Sequence, residues 1–275
     1  MKDYVAIFDI GSNAVRLLIA EQGSSGRLRT IADLRVPLRL GQDTFTKGYI
    51  TKNSRERLVF AFQQFLKTSR KYEVDRVVAI ATSAFREAKN GGKVIREMKR
   101  ETGIPIQMIN GRIEATMVHR AVHKSVNTTG KKSLLLDIGG GSLELVVANQ
   151  GRMLTAKSLP LGTVRLIHDL GPRRTYHAYA DRILDVLEPL VTRSPIFQTL
   201  QGQDLLVGTG GNLRALGKLS SFIDGVETPK RRLTRAEIRE MASLLFDMSY
   251  SKRIKRLELR PDRADVILPA TVLVL

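Results

Sequence analysis

One pattern is written twice in this chain, and it limits the fold more than any other feature. Asp9-Ile-Gly-Ser-Asn-Ala-Val-Arg-Leu-Leu-Ile-Ala20 returns about 128 residues later as Asp137-Ile-Gly-Gly-Gly-Ser-Leu-Glu-Leu-Val-Val-Ala148. Each copy reads as an apolar strand, an acidic residue, a tight turn of small residues and a second apolar strand running back. The echo continues past the hairpin, where Pro37-Leu38-Arg39-Leu40-Gly41 follows the first copy as Pro160-Leu161-Gly162 follows the second. One short Gly motif arises easily by chance. Agreement over roughly thirty positions points to an internal duplication.

Such a turn suits a polyanion. Small residues let backbone N–H groups approach phosphate oxygens with no Cβ in the way, and the Asp at the strand end is placed to hold Mg²⁺ through its waters. Two copies facing each other would form a cleft for a chain of phosphates. A length of 275 residues accommodates two domains, and the duplication says where they divide. The polar stretch Ser125 to Lys132 is the expected boundary, giving domains 1–124 and 125–275. The last residue, Leu275, falls within an expected helix after Arg263-Ala264-Asp265, so the second domain reads either as truncated at its end or as a short variant.

Periodicity fills in the elements. Tyr4 to Ile10, Val15 to Glu21 and Leu28 to Arg35 read as a meander of three strands. Ser54 to Lys71 reads as a helix with Leu58, Phe62, Phe65 and Leu66 on one face. A strand at 75–81, a helix at 94–102, a strand at 104–109 and a helix at 114–124 follow. The second half repeats the plan with strands at 133–138, 143–149 and 153–159 and a helix at 163–170. Further helices are expected at 177–192 and 235–248, the latter opened by Thr234 and Glu237 at capping-box spacing. Between them, Asp204 to Lys218 reads as a strand, a Gly loop and a helix start, a further place for an anion. Strands alternating with helices after a meander imply an α/β sheet.

The balance of 45 basic against 27 acidic residues gives a formal charge of +18, which draws anionic ligands over a long range. Nucleic acid and a phosphate polymer both qualify. Trp is absent and aromatics are few, so base stacking is poorly supported and nucleic acid is disfavoured. The basic clusters at Arg173-Arg174, 230–232 and 252–256 each read first as a solvated helix face or loop. No stretch has the apolar length of a membrane span, and the N-terminus runs straight into a strand. With no Cys for disulfides, a cytoplasmic location is expected.

The segments Asp9-Ile-Gly-Ser-Asn-Ala-Val-Arg-Leu17, Ala81-Thr-Ser-Ala-Phe-Arg-Glu-Ala88, Asn110-Gly-Arg-Ile-Glu-Ala115, Asp137-Ile-Gly-Gly-Gly-Ser-Leu-Glu144 and Val207-Gly-Thr-Gly-Gly-Asn212 together resemble the exopolyphosphatase and guanosine pentaphosphate phosphohydrolase family. That family lies in the superfold of actin, sugar kinases and heat-shock ATPases. The resemblance implies two ribonuclease-H-like α/β domains, each with a mixed sheet opened by a β-meander, flanking a central cleft. It implies release of a terminal phosphate with Mg²⁺ or Mn²⁺, and it places the catalytic carboxylate on Glu114. A Glu in a helix's first turn is otherwise a dipole partner, and only the resemblance reverses that preference.

The same resemblance puts the metal on Asp9, Asp137 and Glu144, and phosphate contacts on Ser12, Asn13, Gly139, Gly140, Gly141 and Ser142. Arg86 matches a phosphate-binding Arg whose fork suits spread negative charge. Arg16, which occupies the place of Glu144 in the other copy, is an alternative clamp or a latch to that Glu. Gly208, Gly210 and Gly211 match a loop that holds adenosine in nucleotide-using relatives, and here the resemblance implies contact with a farther stretch of the substrate. Two adjacent acidic residues are usual before the Ala in the family, whereas this chain has Ile113-Glu114.

Inorganic polyphosphate is the first substrate expected and guanosine pentaphosphate the alternative. A homodimer is expected only by analogy with the family. A polyphosphate or nucleotide sensor without turnover is the reading from another class, and a sugar or acetate kinase of the same superfold is weaker, because fold alone does not set function. His119 and His123 lie four apart on a helix, but no third zinc ligand accompanies them.

Overall fold

The computed structural model describes residues 3–23, 28–170 and 175–275, so the Arg173-Arg174 pair lies outside the described residues. By its own packing the chain forms two compact units, 1–110 and 111–275.

The first unit opens with β1 (Asp3–Ile10), β2 (Val15–Gln22) and β3 (Leu28–Val36), an antiparallel meander. Helices α1 (Leu40–Lys47) and α2 (Lys52–Arg70) carry the chain back to β4 (Arg76–Ala81), which lies parallel to β1. Helices α3 (Ser83–Glu87) and α4 (Gly91–Thr102) make the next crossover to β5 (Ile106–Met108). A parallel neighbour requires such a crossover, so helices appear only after the meander. The sheet order is β3-β2-β1-β4-β5. Alternate residues Ala6, Phe8 and Ile10 of β1 and Val15, Leu17 and Ile19 of β2 face Leu58, Phe62 and Phe65 of α2 in one core. The Phe8 ring lies 5.0 Å from that of Phe62 and 6.0 Å from that of Phe65.

The second unit starts with α5 (Gly111–Ser125) and repeats the meander as β6 (Lys132–Ile138), β7 (Leu143–Asn149) and β8 (Arg152–Leu159). Helices α6 (Thr163–Leu170) and α7 (Tyr176–Thr192) and a 3₁₀ turn (Pro195–Thr199) lead to β9 (Leu205–Thr209), parallel to β6. The sheet order is β8-β7-β6-β9. Then come α8 (Gly210–Ile223), α9 (Arg235–Asp247), α10 (Tyr250–Leu257), α11 (Pro261–Ala264) and α12 (Ile267–Val274). One sheet face, with Leu136, Leu145 and Val147, packs on Leu216, Met241, Leu245 and Ile267. The other is covered by α5, whose Ala115, Val118 and Val122 lie on Leu135 and Val146. That stripe is why α5, expected to close the first domain, groups with the second unit.

The duplication runs deeper in three dimensions than in letters. At the start of β4 the Asp75 carboxylate accepts the Tyr4 N–H at 2.8 Å while its own N–H donates to the Tyr4 carbonyl at 3.0 Å. At the start of β9, Asp204 does the same to Lys132, at 2.8 Å in both directions. Each parallel strand is thus stapled to the first strand of its meander.

Four helices, α1, α3, α10 and α11, go beyond the elements expected from the sequence. Helix α1 is eight residues long with Gly48 closing it at φ 79°, and its anchor is Asp43, which accepts from the Thr51 N–H and Oγ. Helix α10 is the basic run 252–256. Its Arg253 is buried and donates to the carbonyls of Leu245 and Ala264, so this cluster is partly internal bracing rather than a solvated face. Lys230, in another basic cluster, is likewise paired, with Asp224 and with Glu237 at 2.6 Å.

Candidate active site

The two hairpin turns are built alike. In the first, the Gly11 N–H donates to the Ala14 carbonyl at 3.1 Å; in the second, the Gly139 N–H donates to the Ser142 carbonyl at 3.0 Å. The carbonyls at each tip are then taken by the amides of the following helix start. Arg39 and Gly41 bond the oxygens of Asn13 and Ser12, and Thr163 and Val164 bond those of Gly139 and Gly140. With carbonyls spent in this way, N–H groups are what each turn has left to present, the requirement for an anion nest.

The repeated glycines of the echo are explained by this contact. A Cβ on Gly162 would sit 2.3 Å from Gly140 C, and one on Gly41 would sit 2.8 Å from Ser12 Cβ. No side chain fits between turn and helix. Ser12 is buried with its Oγ bonded to no partner, an orphan donor of the kind a phosphate oxygen would satisfy. Arg165, in the first turn of α6, donates from Nε to the Gly141 carbonyl at 3.3 Å.

Across the second sheet, register lines up four polar residues. Asp137 of β6 is opposite Glu144 of β7 and Thr209 of β9, and Glu144 is opposite Ser158 of β8. Residues paired in register point to the same face, and this row is two residues on from the apolar row Leu135, Val146, Ala156 and Val207 that faces α5. Gly111 opens α5 directly over Ser158. Its ideal Cβ would lie 2.3 Å from Ser158 Cβ and 2.6 Å from the Oγ. Glu114 is one helical turn further on, half-buried.

Glu144 is 1% exposed, and Ser158 Oγ donates to its Oε1 at 2.8 Å. Burial pushes its carboxyl up to about 8, the negative charge of Glu114 pushes the same way, and hydrogen bonds from Ser158 and Ser142 work against them; Asp137 adds a smaller upward push. Asp137 abuts the start of α8, where Gly210 has φ 82° and a Cβ there would be 2.2 Å from Asp137 Oδ1. The expected loop after β9 is in fact the helix's first turn. Gly211 makes room for Arg263, whose guanidinium also bonds Asn212 Oδ1, while Asn212 Nδ2 donates to the Ile138 carbonyl at 2.7 Å. Gly208 makes room for Leu213.

The first sheet carries the matching row with different chemistry. Asp9, exposed, is opposite Arg16. Arg16 forms a two-point pair with Asp33 on β3, with Nε to Oδ1 at 2.6 Å, so its guanidinium braces its own sheet. Arg86, half-buried on α3, donates to the Ile109 carbonyl at 3.0 Å. Ile113 is 39% exposed on α5, and nothing in the structure accounts for an apolar residue there.

Among the described residues no three His, Cys, Asp or Glu side chains stand close enough to hold a metal ion by themselves. The donors of the second row nonetheless suit a hard cation. They are oxygens, and the proton on Glu144 is held there partly by neighbouring negative charge that a dication would offset. His119 and His123 stack at 6.0 Å, with His119 Nε2 3.0 Å from the Gly151 carbonyl, so they pack on the β7–β8 turn.

A family model described as the Ppx/GppA phosphatase family matches residues 18–275. The chain belongs to that family. It is similar to exopolyphosphatase 1 of Mycobacterium tuberculosis, 30% identical over 271 residues that cover 96% of this chain and 78% of that one. The corresponding Mycobacterium leprae protein is 30% identical over 270 residues. Among solved structures, an exopolyphosphatase from Cytophaga hutchinsonii superposes with TM-score 0.88 at 25% identity, covering 99% of this chain and 89% of that one. A Ppx/GppA family member from Aquifex aeolicus gives 0.79 at 26% identity, covering 100% and 89%. The α/β architecture with two mixed sheets is that of the family, and membership makes the chain a hydrolase of phosphoric anhydrides.

The sequence had named Asp137, Glu144, Glu114, Ser142 and the Gly turn, and the structure brings these together in the second unit. Asp9, Ser12, Asn13 and Arg16 share the first turn. Ser158, Arg165 and Arg263 had not been singled out. For Ser158 a signal was available: it sits just before the Pro160-Leu161-Gly162 echo, one strand over from Glu144.

Proposed function

We propose that the chain releases the terminal phosphate of inorganic polyphosphate with a divalent metal, Mg²⁺ or Mn²⁺. The observation that carries the reading is the carboxylate row Asp137 and Glu144 under Glu114, beside a Gly turn whose carbonyls are already bonded. In this reading Asp137 and Glu144 would hold the cation. One or two carboxylates suffice for Mg²⁺ when waters and substrate phosphates complete the shell. Bound there, the metal would neutralise charge on the phosphate under attack.

The remaining roles belong to the chain. The turns, through Ser12, Asn13, Gly139, Gly140, Gly141 and Ser142, donate to phosphate oxygens, and Arg86 adds a charged fork. Glu114 orients water and takes its proton as the new P–O bond forms and the terminal P–O–P bond breaks. The shortened chain leaves with the bridging oxygen. Positioning and charge stabilisation account for most of phosphoryl-transfer catalysis, so no covalent nucleophile is needed.

The net charge of +18 favours a long inorganic polyanion over a nucleotide. The names of the mycobacterial relatives favour polyphosphate as well. Phosphate release from long-chain polyphosphate and from guanosine pentaphosphate, assayed side by side with and without Mg²⁺, tests the reading. Metal-dependent release from polyphosphate is expected, and release from the nucleotide alone would overturn the substrate assignment. Retention of activity by Glu114→Gln would remove Glu114 from its role.

A further inference from the structure

We infer that Ser158 is a positioning residue that sets the spacing between Glu144 and Glu114. The inference rests on the function proposed above for those two carboxylates. Two separate contacts support it. Ser158 Oγ donates to Glu144 Oε1 at 2.8 Å, from the position directly opposite on the neighbouring strand. The same side chain is the floor on which α5 begins, because Gly111 comes so near that an ideal Cβ would be 2.6 Å from the Oγ.

Glu114 follows Gly111 by three residues, one helical turn, on the same side of α5. One hydroxymethyl group therefore fixes the rotamer of the first carboxylate by a hydrogen bond and the height of the second by contact. Only Ser meets both demands. Ala would seat the helix but leave Glu144 without this donor, and Thr would keep the donor but add a methyl where Gly111 has already given up its own. Ser142, in the turn, is a second donor to Glu144. The corresponding position of the first sheet is Arg35, opposite Arg16, so the device belongs to the second copy alone.

Ser158→Ala and Ser158→Thr separate the two contacts. Outer-shell donors of this kind change metal affinity or activity by about 10- to 100-fold. In Ser158→Ala the Mn²⁺ concentration that half-maximally raises the melting temperature should rise by about tenfold. Its kcat on polyphosphate should fall by a similar factor, with KM for polyphosphate within about twofold and the metal-free melting temperature near that of the wild type. In Ser158→Thr the metal-free melting temperature should drop by about 5 °C while the Mn²⁺ midpoint stays near wild type.

A wild-type Mn²⁺ midpoint and kcat in Ser158→Ala would overturn the inference. So would an unchanged melting temperature in Ser158→Thr. Wild-type protein that responds to Mn²⁺ in melting but releases no phosphate from polyphosphate would instead count against the proposed function, and the melting comparison would still decide the role of Ser158.

Discussion

The two hairpin turns share a scaffold and differ in electrostatics. In both, a strand-end Asp faces a charged residue on the next strand, and a following helix binds the turn carbonyls. In the first unit the facing residue is Arg16, 38% exposed and paired with Asp33 at 40%. In the second it is Glu144, 1% exposed, its carboxyl pushed up to about 8 by burial and by the charge of Glu114. The difference follows from what lies above each row. The start of helix α5 lies against Ser158 of the second row and Glu144 beside it is buried, so charge on Glu144 is costly unless a cation offsets it. The duplication gives two turns of one build, and divergence at one facing position gives them different electrostatics: an exposed guanidinium paired with Asp33 in one, a buried carboxyl in the other.

The largest effect that would break this division is on chemistry. Glu114→Gln keeps the shape of α5 and should reduce polyphosphate hydrolysis by on the order of 10²–10⁴-fold, as loss of a general base does. A circular dichroism spectrum and melting temperature like those of the wild type would show that the loss is not unfolding.

Next in size is a trade between function and stability at Glu144. In the folded, metal-free protein its carboxyl is held at about 8 against an ordinary Glu value of 4.5. Between those pH values the unfolded chain has released a proton that the folded chain retains. The stability from this group is therefore complete below pH 4.5 and is lost as pH rises toward 8. Glu144→Gln should abolish metal-dependent activity yet stabilise the metal-free protein by on the order of 2 kcal/mol near pH 7. Urea unfolding of both proteins at pH 5 and pH 8 checks this, with the gap between them expected to widen at the higher pH.

Substitutions of the glycines that let each helix start touch its turn should act on stability by a comparable amount and leave the carboxylate row intact. Gly162→Ala and Gly41→Ala force a Cβ to 2.3 Å from Gly140 C and 2.8 Å from Ser12 Cβ. Each should lose about 1–3 kcal/mol in denaturant melts, the usual penalty for overpacking. Gly162→Ala should lose more, since its obstacle is backbone. The smallest effect should come from Arg16→Ala. Its exposed pair with Asp33 is worth at most about 1 kcal/mol. A shift confined to KM for polyphosphate, lessened at high salt, would fit a screened cation near the first turn.

Much of this was legible in the sequence because the duplication repeats its chemistry at fixed intervals. The meander, the Asp at each strand end and the Pro-Leu-Gly continuation are local patterns, and α6 runs over Thr163–Leu170 as its periodicity predicts. What stayed hidden depends on contacts between distant segments. Ser158 reads as an ordinary strand residue until register sets it beside Glu144. Gly210 and Gly211 read as ligand loop until Asp137 and Arg263 are found in the space they leave. Arg253 reads as surface charge, yet it is buried because helix ends with unpaired carbonyls needed a donor. Helix α5 was assigned to the first domain because the polar stretch after it looks like a linker. Its apolar stripe belongs to the second sheet, which periodicity along α5 alone does not reveal.

The claim underlying all of this is that the buried carboxyl of the second turn gives up its proton to take a divalent cation. Calorimetric titration of Mn²⁺ into the protein at pH 7, in two buffers of different ionisation enthalpy, counts the protons released. The account predicts about one proton per metal bound by the wild type and none by Glu144→Gln, which should also bind far more weakly. Metal binding of equal strength in both proteins, with no proton released from either, would contradict it.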